Sequence, residues 1–416
     1  MRDGVSSFFV PNSYFFMLLW LLHHLASATD AAAAWEKITP RAALAAGMSF
    51  WVAVLLGPRW IAWLKRRFRE PIKSDSAEIV RLHADKHATP TMGGLFIVTA
   101  LIASLLLFGD LQNPYMLPAI LVAIGMTAIG IVDDLVKLRS AKKGISARSK
   151  LAAQTMVALA AAILLYARQA AVPDGLLLRV PMTGVEWSLG AWFIPLATIV
   201  IVGASNAVNL TDGLDGLAGG CLITATVAMT GLVYAAGHAG WAAYLGVPKI
   251  PNAGEMTVLS AAMIGGVLGF LWFNCHPAQV FMGNTGALPL GGLLGTLAVI
   301  ARQELLLVLI AGVFVVEAVS VILQVGYYKW RRRRLFRCAP LHHHFQFLGW
   351  PENKIVVRFW IAAALFALIG VGSLKLGGHA PVVQNRFVNL FDVRSVYNNS
   401  ELKKTADAEV RNTSRR

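Results

Sequence analysis

Hydrophobic and polar positions fall along this chain in long blocks. Apolar runs of 16 to 25 residues recur at 42–64, 92–109, 114–132, 151–167, 190–208, 217–236, 258–273, 286–301, 304–328 and 354–377. Each is near the length a helix needs to cross a bilayer. Hydrocarbon offers the backbone no partner outside a helix or a closed barrel, and these runs are too long for barrel strands. The pattern predicts an all-α integral membrane protein: a polytopic bundle of about ten transmembrane helices. Ahead of them, 8–28 is apolar but interrupted by His23 and His24, and reads as an interfacial or partly inserted helix. Its Ala26-Ser27-Ala28 offers the other reading, a signal-peptide cleavage site. Between short apolar runs, Val180-Pro181-Met182-Thr183-Gly184 predicts a hairpin within 168–189. The polar stretch after Gly377 predicts a disordered tail. The expected organisation is an N-terminal extension (1–40), a ten-helix domain (41–377) and a tail (378–416).

Composition agrees: 56% of the 416 residues are hydrophobic and 14% charged, with mean hydropathy +0.60. The net charge of +15 sits between the apolar runs, which points to membrane topology and anionic headgroups and away from nucleic acid. Alternate connections hold nineteen cations: Lys65, Arg66, Arg67, Arg69, Lys73, Arg81, Lys86, Lys137, Arg139, Lys142, Lys143, Arg148, Lys150, Lys329, Arg331, Arg332, Arg333, Arg334 and Arg337. The opposite connections hold four, Arg168, Arg179, Lys249 and Arg302. The positive-inside rule therefore places the first set in the cytoplasm. The tail's own basic residues count against this topology, but they lie far from a span and are mixed with acids. Cys221, Cys275 and Cys338 are few and scattered, suggesting neither a disulfide framework nor a zinc site.

Five polar clusters fall in connections of that same side. Lys86-His87-Ala88-Thr89-Pro90-Thr91-Met92-Gly93-Gly94 offers a cation, hydroxyls and a glycine pair suited to phosphate; taken alone it also reads as a helix N-cap. The run 118–132 ends in Asp133-Asp134, with Lys137 one turn later on much the same face if the helix continues. Paired carboxylates at a membrane edge are costly unless they hold a cation or a proton. Asn209, Asp212 and Asp215 gather hard oxygen ligands whether that segment is helix or Asp-Gly turn, which suits Mg²⁺ or a sugar nucleotide. In 274–286, Asn274, Gly283, Asn284 and Thr285 offer close approach to a ligand, and Phe281 a ring to stack on a base or to anchor at the interface. His342, His343 and His344 cannot all point one way on a helix; they suit metal binding, proton shuttling or phosphate contact. The whole set describes a phosphoryl-transfer site facing the cytoplasm. The spans hold few polar groups, mainly Glu317 and Gln324, expected to make helix–helix hydrogen bonds. That scarcity disfavours a transporter.

Across 41–377 the chain resembles the phospho-N-acetylmuramoyl-pentapeptide transferases, a branch of the polyprenyl-phosphate N-acetylhexosamine-1-phosphate transferase superfamily. The resemblance rests on Thr89-Pro90-Thr91-Met92-Gly93-Gly94, Asp133-Asp134 with Lys137, Asn209-Leu210-Thr211-Asp212-Gly213-Leu214-Asp215-Gly216, Val280-Phe281-Met282-Gly283 and Ala339-Pro340-Leu341-His342-His343-His344-Phe345. It implies a ten-helix enzyme of the bacterial inner membrane, usually a homodimer among membrane lipids. The implied reaction moves phospho-N-acetylmuramoyl-pentapeptide from its UDP carrier (UDP-MurNAc-pentapeptide) to undecaprenyl phosphate, giving lipid I and UMP for peptidoglycan.

By that resemblance Asp133 is base or nucleophile, and Asp134 and Asp212 line the metal and phosphate site. Lys86, Thr91 and Lys137 contact phosphates. Asn209, Asp215, Asn274 and Phe281 hold the uridine end, and His342, His343 and His344 close the cleft. Mg²⁺ is the implied cofactor, on Asp134, Asp212 and position 284. This chain departs from the pattern at two places: Asn284 replaces the usual ligand Asp, and Gln346 the usual Glu. Asn284 offers a carbonyl oxygen without charge, so weaker Mg²⁺ binding is expected. The competing readings are a sister sugar-1-phosphate transferase, for which the histidines are dispensable, and a catalytically silent scaffold.

Overall fold

A computed structural model describes residues 37–67, 89–139 and 144–376. The expected helix at 8–28, Lys86 with most of its basic loop, Lys142, Lys143 and the tail at 378–416 lie outside these residues.

The order is α1 (Ile38–Arg67), α2 (Gly94–Phe108), α3 (Met116–Arg139), α4 (Ala147–Gln169), β1 (Leu177–Arg179), β2 (Glu186–Ser188), α5 (Phe193–Thr211), α6 (Leu217–Gly237), α7 (Ala239–Leu245), α8 (Met256–Asn274), α9 (Asn284–Ile300), α10 (Glu304–Ile310), α11 (Gly312–Arg331), α12 (Leu341–Phe347) and α13 (Glu352–Ser373). Among the described residues, eight helices are long and apolar enough to span a membrane, and the shorter apolar α2 and α9 bring the number to ten. The protein is an all-α polytopic membrane protein. The expected hairpin forms, with β1 and β2 antiparallel and Leu178 opposite Trp187.

Nine predicted runs match single helices. The tenth, 304–328, is two: α10 ends and α11 begins at Ala311, whose φ of −92° and ψ of 27° leave the helical path. The run contains no proline, and Gly312 is the only local cue to a break.

The bundle is built around α9, all of whose residues are buried. It packs against α5 and α3, while α8 packs against α1 and α6. Lipid is as apolar as leucine, so such packing depends on close backbone approach and interhelical hydrogen bonds. Both are present. Gly291 and Gly295 of α9 lie against the backbone of α5 at Ala204, Ser205 and Ile201. Ser205 Oγ donates to the Leu288 carbonyl at 2.9 Å and accepts from Gln154 Nε2 at 3.3 Å, while Asn206 Nδ2 donates to Gln154 Oε1 at 3.0 Å. This packing places the first turn of α9 beside the last turns of α3 and α5.

Candidate active site

The site grows from the end of α3. The helix runs on past the apolar stretch to Arg139, with Lys137 and Arg139 in its last turn, where cations suit the negative end of the helix dipole. Asp133 and Asp134 are nevertheless buried, because α3 leans on α9 there and Gly130 lies against the backbone of Asn284 and Thr285. The predicted one-turn pairing is present: Lys137 Nζ is 3.0 Å from Asp133 Oδ2 and 3.5 Å from Asp134 Oδ1.

The two carboxylates do different work. Asp134 caps α9 from outside. It accepts the backbone N–H groups of Asn284 (3.3 Å) and Thr285 (2.9 Å) and the Thr285 hydroxyl (2.8 Å). These are orphan donors of a helix N-terminus, and the dipole favours a negative charge there. Asp133 faces the opposite bank. It accepts the Ile145 N–H at 2.9 Å, lies 3.6 Å from Lys150 Nζ, and takes a hydrogen bond from Asn284 Nδ2. Ser146 caps α4 by accepting the Ser149 N–H at 3.1 Å, which starts the helix where Lys150 meets α3. In the sequence Lys150 is one cation of a basic run; in the fold α4 turns back along α3 and brings it opposite Asp133.

Thr91 and Asp212 join through the α8–α9 loop. Segment 89–94 runs alongside it: Phe281 N–H donates to Pro90 O, Gly93 N–H to Phe281 O, and Gly94 N–H to Met282 O, all at 2.8–2.9 Å. At Gly283 the backbone takes φ 70° and ψ 174°, a conformation open essentially to glycine alone. A Cβ there would lie 2.7 Å from Asp134 Oδ2 and 2.9 Å from Thr91 Oγ1. Its N–H bonds the Asp212 carboxyl.

Asp212 lies just past α5, which ends at Thr211, so the two readings of 209–215 divide there: Asn209 is helical, and Asp212 and Asp215 stand on the turn that follows. Burial, reinforced by the negative charges of Asp134 and Asp215, pushes the Asp212 carboxyl up to about 7.

Asp215 and Asn274 form a separate clamp. Asp215 Oδ2 accepts the Ala278 N–H at 3.0 Å and lies 3.2 Å from His276 Nδ1, while its own N–H donates to Glu352 Oε1 at 2.8 Å. Asn274 Oδ1 accepts the Gly216 N–H and its Nδ2 donates to Val280 O. Both residues assigned to the uridine end thus tie the loops around it to one another. Asn209 is half-buried on the last turn of α5, and Phe281 is half-buried in the α8–α9 loop. Among the described residues, the three His, Asp or Glu ligand atoms found within 4.8 Å of one another belong to Asp215, His276 and Glu352, not to the predicted metal set.

The histidines point three ways, as their spacing requires. His342 turns inward to Glu317 and abuts Gly213; His343 Nδ1 lies 2.7 Å from Gln346 Oε1; His344 Nδ1 accepts the Arg337 N–H at 3.2 Å. Of the two polar residues expected to join helices, Glu317 does so, tying α11 to α12 through His342, while Gln324 instead holds the segment after α11. Gln324 Oε1 accepts the N–H groups of Leu335 and Phe336.

Buried carboxylates, lysines and a helix N-terminus at the edge of a membrane bundle define a polytopic transferase acting on phosphates. Comparison agrees: the profile of glycosyl transferase family 4 matches residues 116–302, which span the paired aspartates, the Asp212 turn and the α8–α9 loop. Proteins named phospho-N-acetylmuramoyl-pentapeptide-transferase are similar over nearly the whole described bundle. Those of Nitratidesulfovibrio vulgaris (strain DP4), Solidesulfovibrio magneticus and Koribacter versatilis are 48%, 46% and 44% identical, each over 86% of this chain and 100% of its own length. The chain belongs to the phospho-N-acetylmuramoyl-pentapeptide-transferase family, and is a bacterial membrane phosphoglycosyl transferase.

Proposed function

We propose that this protein transfers phospho-N-acetylmuramoyl-pentapeptide from UDP to undecaprenyl phosphate, forming lipid I and UMP, at a site facing the cytoplasm. The observation that carries this reading is the convergence of Asp133, Asp134, Lys137, Thr91 and Asp212 on the first turn of α9, in a chain of this family.

Lys137 and Lys150 keep 23% and 16% of their side chains exposed above an Asp133 that keeps 4%. An incoming diphosphate therefore meets the cations before the carboxylates. Binding it draws Lys137 and Lys150 toward phosphate oxygens and frees Asp133 to act on the phosphoryl group. Thr91 and the first turn of α9 supply further donors to a developing negative charge. One equivalent of UMP released without lipid acceptor marks Asp133 as the nucleophile; strict dependence on the acceptor marks it as the base.

The donor set suits a divalent cation on one side. Asp212, buried and crowded by two other carboxylates, is a group that a cation would relieve. Position 284 suits it less, because Asn284 gives its amide to Asp133. Mg²⁺ would be held by Asp134, Asp212 and the Asn284 carbonyl oxygen, and when bound it would neutralise charge on the diphosphate. The protein would work as a homodimer among membrane lipids.

The test is UMP release by purified protein given undecaprenyl phosphate and either UDP-MurNAc-pentapeptide or UDP-GlcNAc, titrated with Mg²⁺. Turnover with the first donor alone supports the reading. Turnover with the second alone assigns the sister reaction, and none with either leaves a silent scaffold.

A further inference from the structure

Glu317 is a buried acid on the proposed cytoplasmic side of the bundle that the transfer reaction does not use. It lies within α11, fully enclosed, and both its oxygens meet one residue: Oε1 accepts the backbone N–H of His342 at 3.1 Å, and Oε2 lies 3.2 Å from His342 Nδ1. The imidazole is also fully enclosed, and the His343 ring packs on it with centroids 4.2 Å apart. Its other nitrogen, Nε2, is buried and has no hydrogen-bond partner among the described residues. That nitrogen faces Gly213, next to Asp212, where any Cβ would collide with it.

Anchoring α12 to α11 requires only the Nδ1 and backbone contacts. A bare Nε2 in a closed site carries the cost of an unmet polar atom, which an apolar ring of similar size would avoid. The side-chain-free residue at 213 keeps the approach to that nitrogen clear.

We infer that Glu317 is a positioning residue for the transferase reaction. It fixes His342 as the Nδ1–H tautomer, so that Nε2 stands beside the Asp212–Gly213 turn as a hydrogen-bond acceptor for a protonated oxygen of the substrate. This rests on the proposed function for what the acceptor meets, but not for the tautomer. In Glu317→Gln the shape is kept while the amide N–H₂ can turn to Nδ1, which moves the ring proton to Nε2 and removes the acceptor. The same logic applies wherever an acid orients a catalytic imidazole.

The experiment uses full-length protein in detergent micelles with ¹⁵N-labelled histidine, His342 being assigned by its loss in His342→Gln. The parent is expected to show Nδ1 protonated and Nε2 bare, and Glu317→Gln the reverse. UMP release with UDP-MurNAc-pentapeptide and undecaprenyl phosphate is expected to lose at least about 10-fold in kcat in Glu317→Gln, with little change in KM and with Glu317→Asp recovering part of the loss. In the His342→Gln background, Glu317→Gln should cost nothing more. A parent ring protonated at Nε2, kcat within twofold of parent in Glu317→Gln, or multiplying losses in the double variant would each overturn the inference. A parent that releases no UMP would count against the proposed function instead, and the ring nitrogens would still decide the tautomer.

Discussion

The two ends of the bundle handle buried charge in opposite ways. At the end where α1 and α8 begin, Arg41 and Glu255 form a two-pronged pair at 2.8 and 2.7 Å; Glu255 also accepts the Asp110 N–H, and Arg41 donates to Phe108 O. One charge answers one charge, and the neighbouring backbone groups fit the same geometry. At the other end, where α3 finishes and α9 starts, Asp133, Asp134 and Asp212 gather around Lys137 and Lys150. The carboxylates outnumber the lysines, and Asp212 is pushed up to about 7. A matched pair holds helices together; an excess of one sign, kept in place by helix ends and glycine turns, is prepared for a ligand that brings the missing charge.

Substitutions at the two ends should therefore separate activity from stability. The largest expected effect is in Asp133→Asn, which removes the charge that Lys137 and Lys150 face. UMP release should fall about 100-fold or more while the protein remains folded by size-exclusion profile. Glu255→Ala should do the reverse. It leaves Arg41 without its partner and should cost about 3 kcal/mol, read as a lowered Tm, with the activity of the folded fraction unchanged. Gly283→Ala sits between the two. Its strained φ and the crowding of Asp134 and Thr91 should cost roughly 1–3 kcal/mol and reduce activity as well.

A smaller effect tests the charge excess itself. The folded Asp212 carboxyl titrates at about 7 against an ordinary 3.8, so it opposes folding once it must ionise. With chelator present, Asp212→Asn should match the parent's stability near pH 4 and gain on it as pH rises. The gain should level off above pH 7 at about 4 kcal/mol, with Tm against pH as the readout. Asn284→Asp sharpens the same point: a carboxylate facing Asp133 should lower the Mg²⁺ concentration needed for half-maximal UMP release.

Much of this was legible in the chain. Apolar run length marked the ten spanning segments because hydrocarbon leaves the backbone few options, and Asp133, Asp134 and Lys137 were visible as one helical face. What was missed depends on contacts between distant segments. Lys150 reaches Asp133 only because α4 folds back on α3, and nothing in a basic run distinguishes one lysine from the next. Thr285 ties Asp134 to α9 from 151 residues away. Glu317 has an ordinary helical setting, and only the packed chain shows that His342 is its partner. The break at Ala311 lacks a proline or cap to announce it. Asn274 and Asp215 were read for their polar atoms, which the folded loops use among themselves.

The measurement that bears most directly on this contrast is UMP release per folded molecule in the parent, Asp133→Asn and Glu255→Ala, each with UDP-MurNAc-pentapeptide, undecaprenyl phosphate and Mg²⁺. Loss of turnover in Asp133→Asn beside parent-like turnover in Glu255→Ala is the predicted result. Parent-like turnover in Asp133→Asn, with loss in a folded Glu255→Ala, would contradict the placement of the chemistry at the α3–α9 end.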